Sequence, residues 1–227
     1  MLSLLTLQTF SCLSSYAVET IDESCLTAIR PYFENLPKDP YLKGDYRFRR
    51  FSRFQIREGE IVHLPHGIFY QSKAYNRLLG NVQREYAELD ESLIGLHAFK
   101  HALMSFWDFC ELCSEHHTVG VHQIRITARP QQQGNPAPEG CHQDGVDMVG
   151  VLCMDRSRIT GGETQLYPVE QQESPVFSKV LNPGELLVFN DHQFFHFTTP
   201  IAPERNEMGT RDVFVFTCPH TPFDPTA

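Results

Sequence analysis

Nothing in this 227-residue chain approaches the ~18 consecutive apolar residues that a membrane-crossing helix needs. No membrane partner is therefore expected. Basic residues are also in the minority, with 19 Lys and Arg against 28 Asp and Glu and a net charge of -9. A nucleic-acid binder would show a basic face, so no nucleic-acid partner is expected either. The one local exception is Arg47, Arg49, Arg50, Arg53 and Arg57, interleaved with Phe48, Phe51 and Phe54. It reads as a strand whose Arg stems cover apolar surface. A disulfide framework is missing too. The seven cysteines are odd in number and irregularly spaced, which points to reduced thiols and a cytoplasmic setting. Cys110 and Cys113 form a CxxC, but no second CxxC accompanies it, and it reads as helix packing. The first twenty residues carry no Lys or Arg ahead of their apolar run, and Gln8 and Thr9 interrupt that run, which disfavours a secretory signal. No repeat or low-complexity block is visible.

What is present is ordinary globular material, 41% hydrophobic and 21% charged. The length suits one domain over residues 1–227, with a helical and hairpin front over 20–118 and a β-rich core over 119–220. Residues 20–36 have helical spacing, with Pro31 placed to kink or end the helix. Residues 46–64 read as two β segments joined at Glu58-Gly59. Residues 90–114 form the strongest helical pattern, capped by Asp90. After Gly120 come short β runs at 121–128, 146–154, 164–169, 176–181, 185–189, 194–198 and 212–217. That texture predicts a mainly β (α+β) fold with flanking helices, a sandwich or barrel of jelly-roll type.

The chemistry-bearing residues begin with His142-Gln143-Asp144. On a strand, i and i+2 share a side, so the imidazole and the carboxylate would aim at one point. A distant His196, within His196-Phe197-Thr198-Thr199-Pro200, completes a set of two histidines and one carboxylate. Such a facial triad leaves coordination positions open, as an iron(II) oxygenase requires. His192 competes with His196, but it follows the turn-like Asn190-Asp191 and lacks the Thr-Thr-Pro. Arg211, fifteen positions after His196, stands just before the apolar run Val213–Phe216. A guanidinium there suits the distal carboxylate of a dicarboxylic keto acid. Gln123 and Arg125 share one face of their strand and Ile124 and Ile126 the other. Arg125 is equally a substrate-carboxylate ligand or a cap on a carboxylate within the sheet. Gln71, Asn76 and Arg84 are further polar candidates from the front half, and Gly161-Gly162 reads as a tight turn.

In several stretches the chain resembles the bacterial 2-oxoglutarate/iron(II)-dependent dioxygenase family that includes free L-isoleucine and L-leucine hydroxylases. They are RRFSRF at 49–54, YQSKAYN at 70–76, HQIRI at 122–126, PEGCHQDGVD at 138–147, GGET at 161–164, HFTTPI at 196–201 and GTRDVFVFT at 209–217. The resemblance implies a double-stranded β-helix (jelly-roll, cupin-like) core with the metal at one open end. It implies His142, Asp144 and His196 as iron(II) ligands and Arg211 as the 2-oxoglutarate anchor. It implies O2 and 2-oxoglutarate as co-substrates, and oxidative decarboxylation to succinate and CO2 coupled to oxidation of a C–H bond. The substrate class it suggests is a small molecule, a free L-amino acid, hydroxylated or, for a methionine side chain, sulfoxidised. Two other readings share these ligands: a non-catalytic cupin-like metal- or ligand-binding protein, and a zinc-dependent hydrolase or isomerase. The intact triad with Arg211 argues against the first, and the second has no use for Arg211 as a keto-acid anchor.

Overall fold

The computed structural model describes residues 16–220, so the reading of the first residues as leader or not falls outside it. Strand β1 (Tyr16–Thr20) leads into helix α1 (Glu23–Ile29) and a 3-10 turn (Arg30–Phe33). Pro31 sits in the first turn of that 3-10 segment, so the helix gives way at the place the proline marks. Strands β2 (Arg47–Arg57) and β3 (Glu60–His63) form a hairpin. Glu58 and Gly59, both at positive φ, make its turn. Residues 64–89 follow without helix or strand, held by a backbone bridge between Phe69 and Arg84.

The helical stretch predicted over 90–114 is two helices, α2 (Glu91–Gly95) and α3 (His97–Cys113). Asp90 caps the first by accepting from the Ser92 amide at 2.8 Å. The break falls at Leu96, whose backbone is extended, directly after the weak helix former Gly95. On α3 the residues Phe99, Leu103, Phe106 and Cys110 recur at helical spacing and are all buried.

The remainder is strand: β4 (Thr118–Ala128), β5 (Met148–Ser157), β6 (Ile159–Gly161), β7 (Glu163–Pro168), β8 (Phe177–Val180), β9 (Glu185–Asn190), β10 (Phe194–Thr198), β11 (Ile201–Pro203) and β12 (Gly209–Cys218). Seven strands pair in the order β1-β9-β5-β12-β4-β2-β3, and two smaller sheets, β10-β7-β8 and β11-β6, complete the fold. All the pairings are antiparallel. The predicted β runs fall on β4, β5, β7, β8, β9, β10 and β12, while β1, β6 and β11 were not foreseen.

Alternation along the strands divides the core. Phe214 and Phe216 face α3, in one cluster with Phe99, Phe106 and Leu103. Gly150 is needed there, because a Cβ on it would lie 2.5 Å from the Phe106 ring. The opposite face sends Val149, Val151, Cys153 and Leu187 against Leu166, Leu181 and Phe194 of the smaller-sheet side. Ile124, Ile126 and Val213 join Ile159 and Ile201 in a further interior cluster. The helices thus plug one side of the large sheet, and the other side forms the wall of a cavity. No helix among the described residues is long and apolar enough to cross a membrane.

Candidate metal centre

His142 and His196 are clamped together by their own backbones. The His142 N–H donates to the His196 carbonyl at 3.1 Å, and the His196 N–H donates back at 2.8 Å. The two rings then stand 4.2 Å apart. Asp144 lies in the turn that follows, not on a regular strand, so convergence comes from this bridge more than from strand alternation. Its Oδ1 lies 3.6 Å from His142 Nε2 and its Oδ2 lies 3.7 Å from His196 Nε2. One ligand atom from each of the three falls within 4.8 Å of the others. His192 is elsewhere, exposed and 3.2 Å from Asp147.

The surroundings prepare these atoms for a cation. Nδ1 of His142 is engaged by the Gly140 carbonyl at 2.9 Å, which leaves Nε2 to face Asp144. Burial pushes the His142 imidazole down. The hydrogen bond to Asp144 and the charges of Glu139 and Asp144 outweigh it and raise the pKa to about 9. Burial, with the charge of His142 beside it, lowers His196 to about 3. Burial alone would raise Asp144, but its hydrogen bond to His142 and the charges of both histidines hold it well below the usual carboxylate range. At neutral pH Asp144 is therefore an anion and His196 a neutral imidazole, and the proton on His142 is the charge a metal ion would displace. Two imidazole nitrogens and one carboxylate oxygen, on side chains that are partly buried, are a donor set that fits iron(II).

Asp191 sets the position of Asp144. Its carboxylate, 1% exposed, accepts from the amides of Asp144 (3.0 Å), Gly145 (2.6 Å) and Val146 (3.2 Å). From the other side, Gln71 Nε2 donates to Asp144 Oδ1 at 2.9 Å. The side-chain Oε1 of Gln71 in turn accepts from Arg84 Nη2 at 2.8 Å and from Asn76 Nδ2 at 3.3 Å.

Arg211 lines the same cavity and is 3% exposed. Its Nε and Nη2 are buried with no hydrogen-bond partner. Burial lowers its pKa to about 10, so it remains charged at neutral pH. Gly162, at φ +70°, leaves it room: a Cβ there would press to 3.3 Å from Arg211 Cδ. An orphaned, charged guanidinium at the end of a buried cavity fits a carboxylate ligand.

Of the residues singled out in the sequence, the structure brings His142, Asp144, His196, Arg211, Gln71, Asn76 and Arg84 to one cavity. It does not bring Gln123 or Arg125 there, which corrects the expectation of substrate contact for Gln123 and, for Arg125, leaves the other of its two roles, a cap on a carboxylate within the sheet. Ile124 and Ile126 line the cavity, so alternation turns Gln123 and Arg125 to the helix side of β4. Gln123 donates to the Tyr32 carbonyl at 3.0 Å, and Arg125 makes a two-point ion pair with Asp212 at 2.7 Å. Asn76 chiefly braces its own turn, its Oδ1 accepting from the amides of Leu78 and Leu79. Sequence reasoning missed Arg49, His122, Glu139 and Asp191. A signal existed for the first two: the alternation of β2 puts Arg49 and Phe51 on one face, opposite His122 of β4 in the ladder.

The likeness to known proteins is broad. The 2OG-Fe dioxygenase family model matches residues 30–217. The L-isoleucine-4-hydroxylase of Bacillus thuringiensis is 25% identical over 206 residues, spanning 88% of this chain and 85% of that protein. The 3(1)-hydroxy-L-isoleucine 4-dioxygenase of Pantoea ananatis (strain AJ13355) is 28% identical over 203 residues, spanning 85% and 80%. Among solved structures, a bsmA homologue from Methylobium petroleophilum PM1 superposes with a TM-score of 0.83 at 27% identity, covering 94% of this chain and 91% of that one. With this match over most of its length, a jelly-roll β core and a His-Asp-His cluster in its cavity, the chain belongs to the 2OG-Fe dioxygenase family, non-haem iron enzymes that use iron(II), 2-oxoglutarate and O2.

Proposed function

We propose that this dioxygenase hydroxylates, or sulfoxidises, a free L-amino acid, with iron(II) held by His142, Asp144 and His196 and the distal carboxylate of 2-oxoglutarate on Arg211. The observation that carries the reading is one cavity holding both a two-histidine, one-carboxylate donor set and an unpartnered buried guanidinium. The amino-acid substrate is supported by the two curated relatives, whose names specify L-isoleucine and its hydroxylated derivative. Leu42, Leu78, Leu79, Ile124 and Ile126 supply an apolar wall that suits an aliphatic side chain.

When bound, iron with 2-oxoglutarate and O2 supplies the oxidising chemistry. The chain's own part is positioning. Gly140 fixes the orientation of the His142 ring, Asp191 and Gln71 fix Asp144 from opposite sides, and Arg211 orients the co-substrate by its far end. The apolar wall keeps water from the reacting carbon. We further propose that the helical front and the β core work as one catalytic unit, since Gln71 from the front touches Asp144 of the core.

The test is a screen of the twenty L-amino acids with iron(II), ascorbate and 2-oxoglutarate, read by product mass and by succinate. Succinate formation stimulated by one or a few amino acids is expected. His142→Ala abolishes it together with iron binding, and Arg211→Met weakens 2-oxoglutarate binding by about tenfold or more, the scale of a charge-assisted hydrogen bond. Full turnover by His142→Ala, or unchanged 2-oxoglutarate affinity in Arg211→Met, would sink the assignment.

A further inference from the structure

Two more buried cations, Arg49 and Arg84, face the cavity, and among the described residues no carboxylate lies within ion-pair distance of either. Arg49 is 5% exposed and Arg84 is 2% exposed. Among the described residues neither has an ion-pair partner, and the Nε of each is buried without a hydrogen bond. Their contacts are to neutral groups. Arg49 donates to the Tyr86 hydroxyl at 3.3 Å and to His122 Nδ1 at 2.5 Å. His122 stays neutral, because burial and the charge of Arg49 lower its pKa far below the usual value. Arg84 Nη2 donates to the side-chain Oε1 of Gln71 at 2.8 Å. Both guanidiniums lie over the Phe69 ring, at 5.3 Å and 4.5 Å from its centroid, and Arg49 also lies 4.3 Å from that of Tyr86. Of the other carboxylates that line the cavity, Asp39 is engaged by Arg47 at 3.6 Å and acts on Arg49 only by its charge, and Glu139 lies 3.3 Å from His142 Nε2.

Two like charges buried together with neutral partners are costly, and aromatic faces offset only part of that cost. An anion entering the cavity relieves it. The co-substrate's distal carboxylate already has Arg211, and its other end belongs at the metal. We infer that Arg49 and Arg84 form the seat for a carboxylate carried by the substrate itself. This rests on the proposed amino-acid oxygenase function and deepens it: the substrate must enter as a free acid, with its carboxylate on the Phe69 side and its side chain toward the metal. Arg84 is joined through Gln71 to Asp144 by hydrogen bonds of 2.8 Å and 2.9 Å, so the seat is mechanically tied to the metal cluster.

The experiment compares a free acid with its amide. The amino acid that most stimulates succinate formation in the wild type is the probe, and its C-terminal carboxamide is the control. Binding of each to the anaerobic iron(II)–2-oxoglutarate protein is measured by calorimetry, so no turnover is involved. The wild type should bind the acid at least about 30-fold more tightly than the amide, in line with charge-assisted hydrogen bonding. Arg84→Gln and Arg49→Gln should lose about that factor for the acid and little for the amide, with the visible band of the iron–2-oxoglutarate complex retained; Arg84→Lys should recover part of it. Where a variant fails to fold, the wild-type acid-to-amide ratio decides alone. Equal wild-type affinity for acid and amide, or a folded glutamine variant that binds the acid as the wild type does, overturns the inference while the oxygenase function stands. A wild type that forms no succinate with any amino acid overturns the function, and this inference with it.

Discussion

Asp191 does not itself line the cavity, yet its carboxylate lies 3.8 Å from His196 Nδ1, and three consecutive amides of the Asp144–Val146 turn converge on it. Replacing it leaves those donors buried and unanswered, and frees the one carboxylate of the metal cluster to swing. Asp191→Ala should therefore lower iron(II) affinity by about 10- to 100-fold, the usual scale for a group that orients a metal ligand. Competition with a chelator measures it, and unchanged affinity would remove Asp191 from the site. Residues of this kind are where the sequence is hardest to read. His142, Asp144, His196 and Arg211 could be picked out because their side-chain chemistry and order along the chain mean something by themselves. Asp191 reads only as part of a turn beside Asn190, since its partners lie more than forty positions upstream. Arg49 likewise reads, from the sequence, as one more stem-covering arginine of its strand. Whether an arginine stem runs outward or into a cavity depends on what closes over it.

At the level of elements, β4 shows what alternation can and cannot decide. The pattern separates Gln123 and Arg125 from Ile124 and Ile126 without ambiguity, but it does not say which pair meets the cavity. That was settled at long range, by α3 and the Arg30–Phe33 turn covering the outer face, where Gln123 reaches Tyr32. On that face Arg125 sits directly opposite Asp212 in the β4–β12 ladder, and the pair is largely buried. Burial raises the Asp212 pKa against the opposing pull of Arg125. Arg125→Met strands that carboxylate and should cost about 3 kcal/mol in urea denaturation, whereas Arg125→Met with Asp212→Leu should recover most of the loss. Iron and 2-oxoglutarate binding by the folded variants should stay near wild type, which separates this pair from Arg211 one residue away. The outline of the β core was easier to foresee than the break at Leu96 or the short strands β6 and β11. Long apolar alternation carries a strong local signal, and three-residue pairings carry almost none.

Across the whole molecule, the cavity is closed by residues 64–89, which bring Phe69, Gln71, Asn76 and Arg84 to it without any regular element of their own. Glu88 ties the end of this segment down, bonding to Ser52, to His63 at 3.0 Å and to His66 at 2.7 Å. The hydrogen bond to Glu88 raises the His66 pKa above 6.5. Burial pushes Glu88 up, but its hydrogen bonds to Ser52, His63 and His66 prevail and lower it below 4.5. The His66 contribution is complete below its unfolded value and fades as pH rises past the raised one. The Glu88 contribution is complete above its unfolded value and fades as pH falls. The tie is therefore firmest between roughly pH 4.5 and 6.5. His66→Ala should destabilise the protein by about 0.5 kcal/mol more near pH 5.5 than near pH 8.5, a modest figure because the pair is solvent-screened. Denaturation at the two pH values tests it. The reciprocal backbone pairing of residues 142 and 196 has an effect of another kind. It makes the nest before the egg is laid, so little of the fold should wait on the ion's arrival. A preformed nest of two imidazoles and a carboxylate admits cobalt, nickel or zinc as readily as iron, and by inherent affinity prefers several of them. Which metal the protein carries is then decided by what its surroundings offer, and a sample raised amid abundant zinc should emerge well folded and catalytically silent.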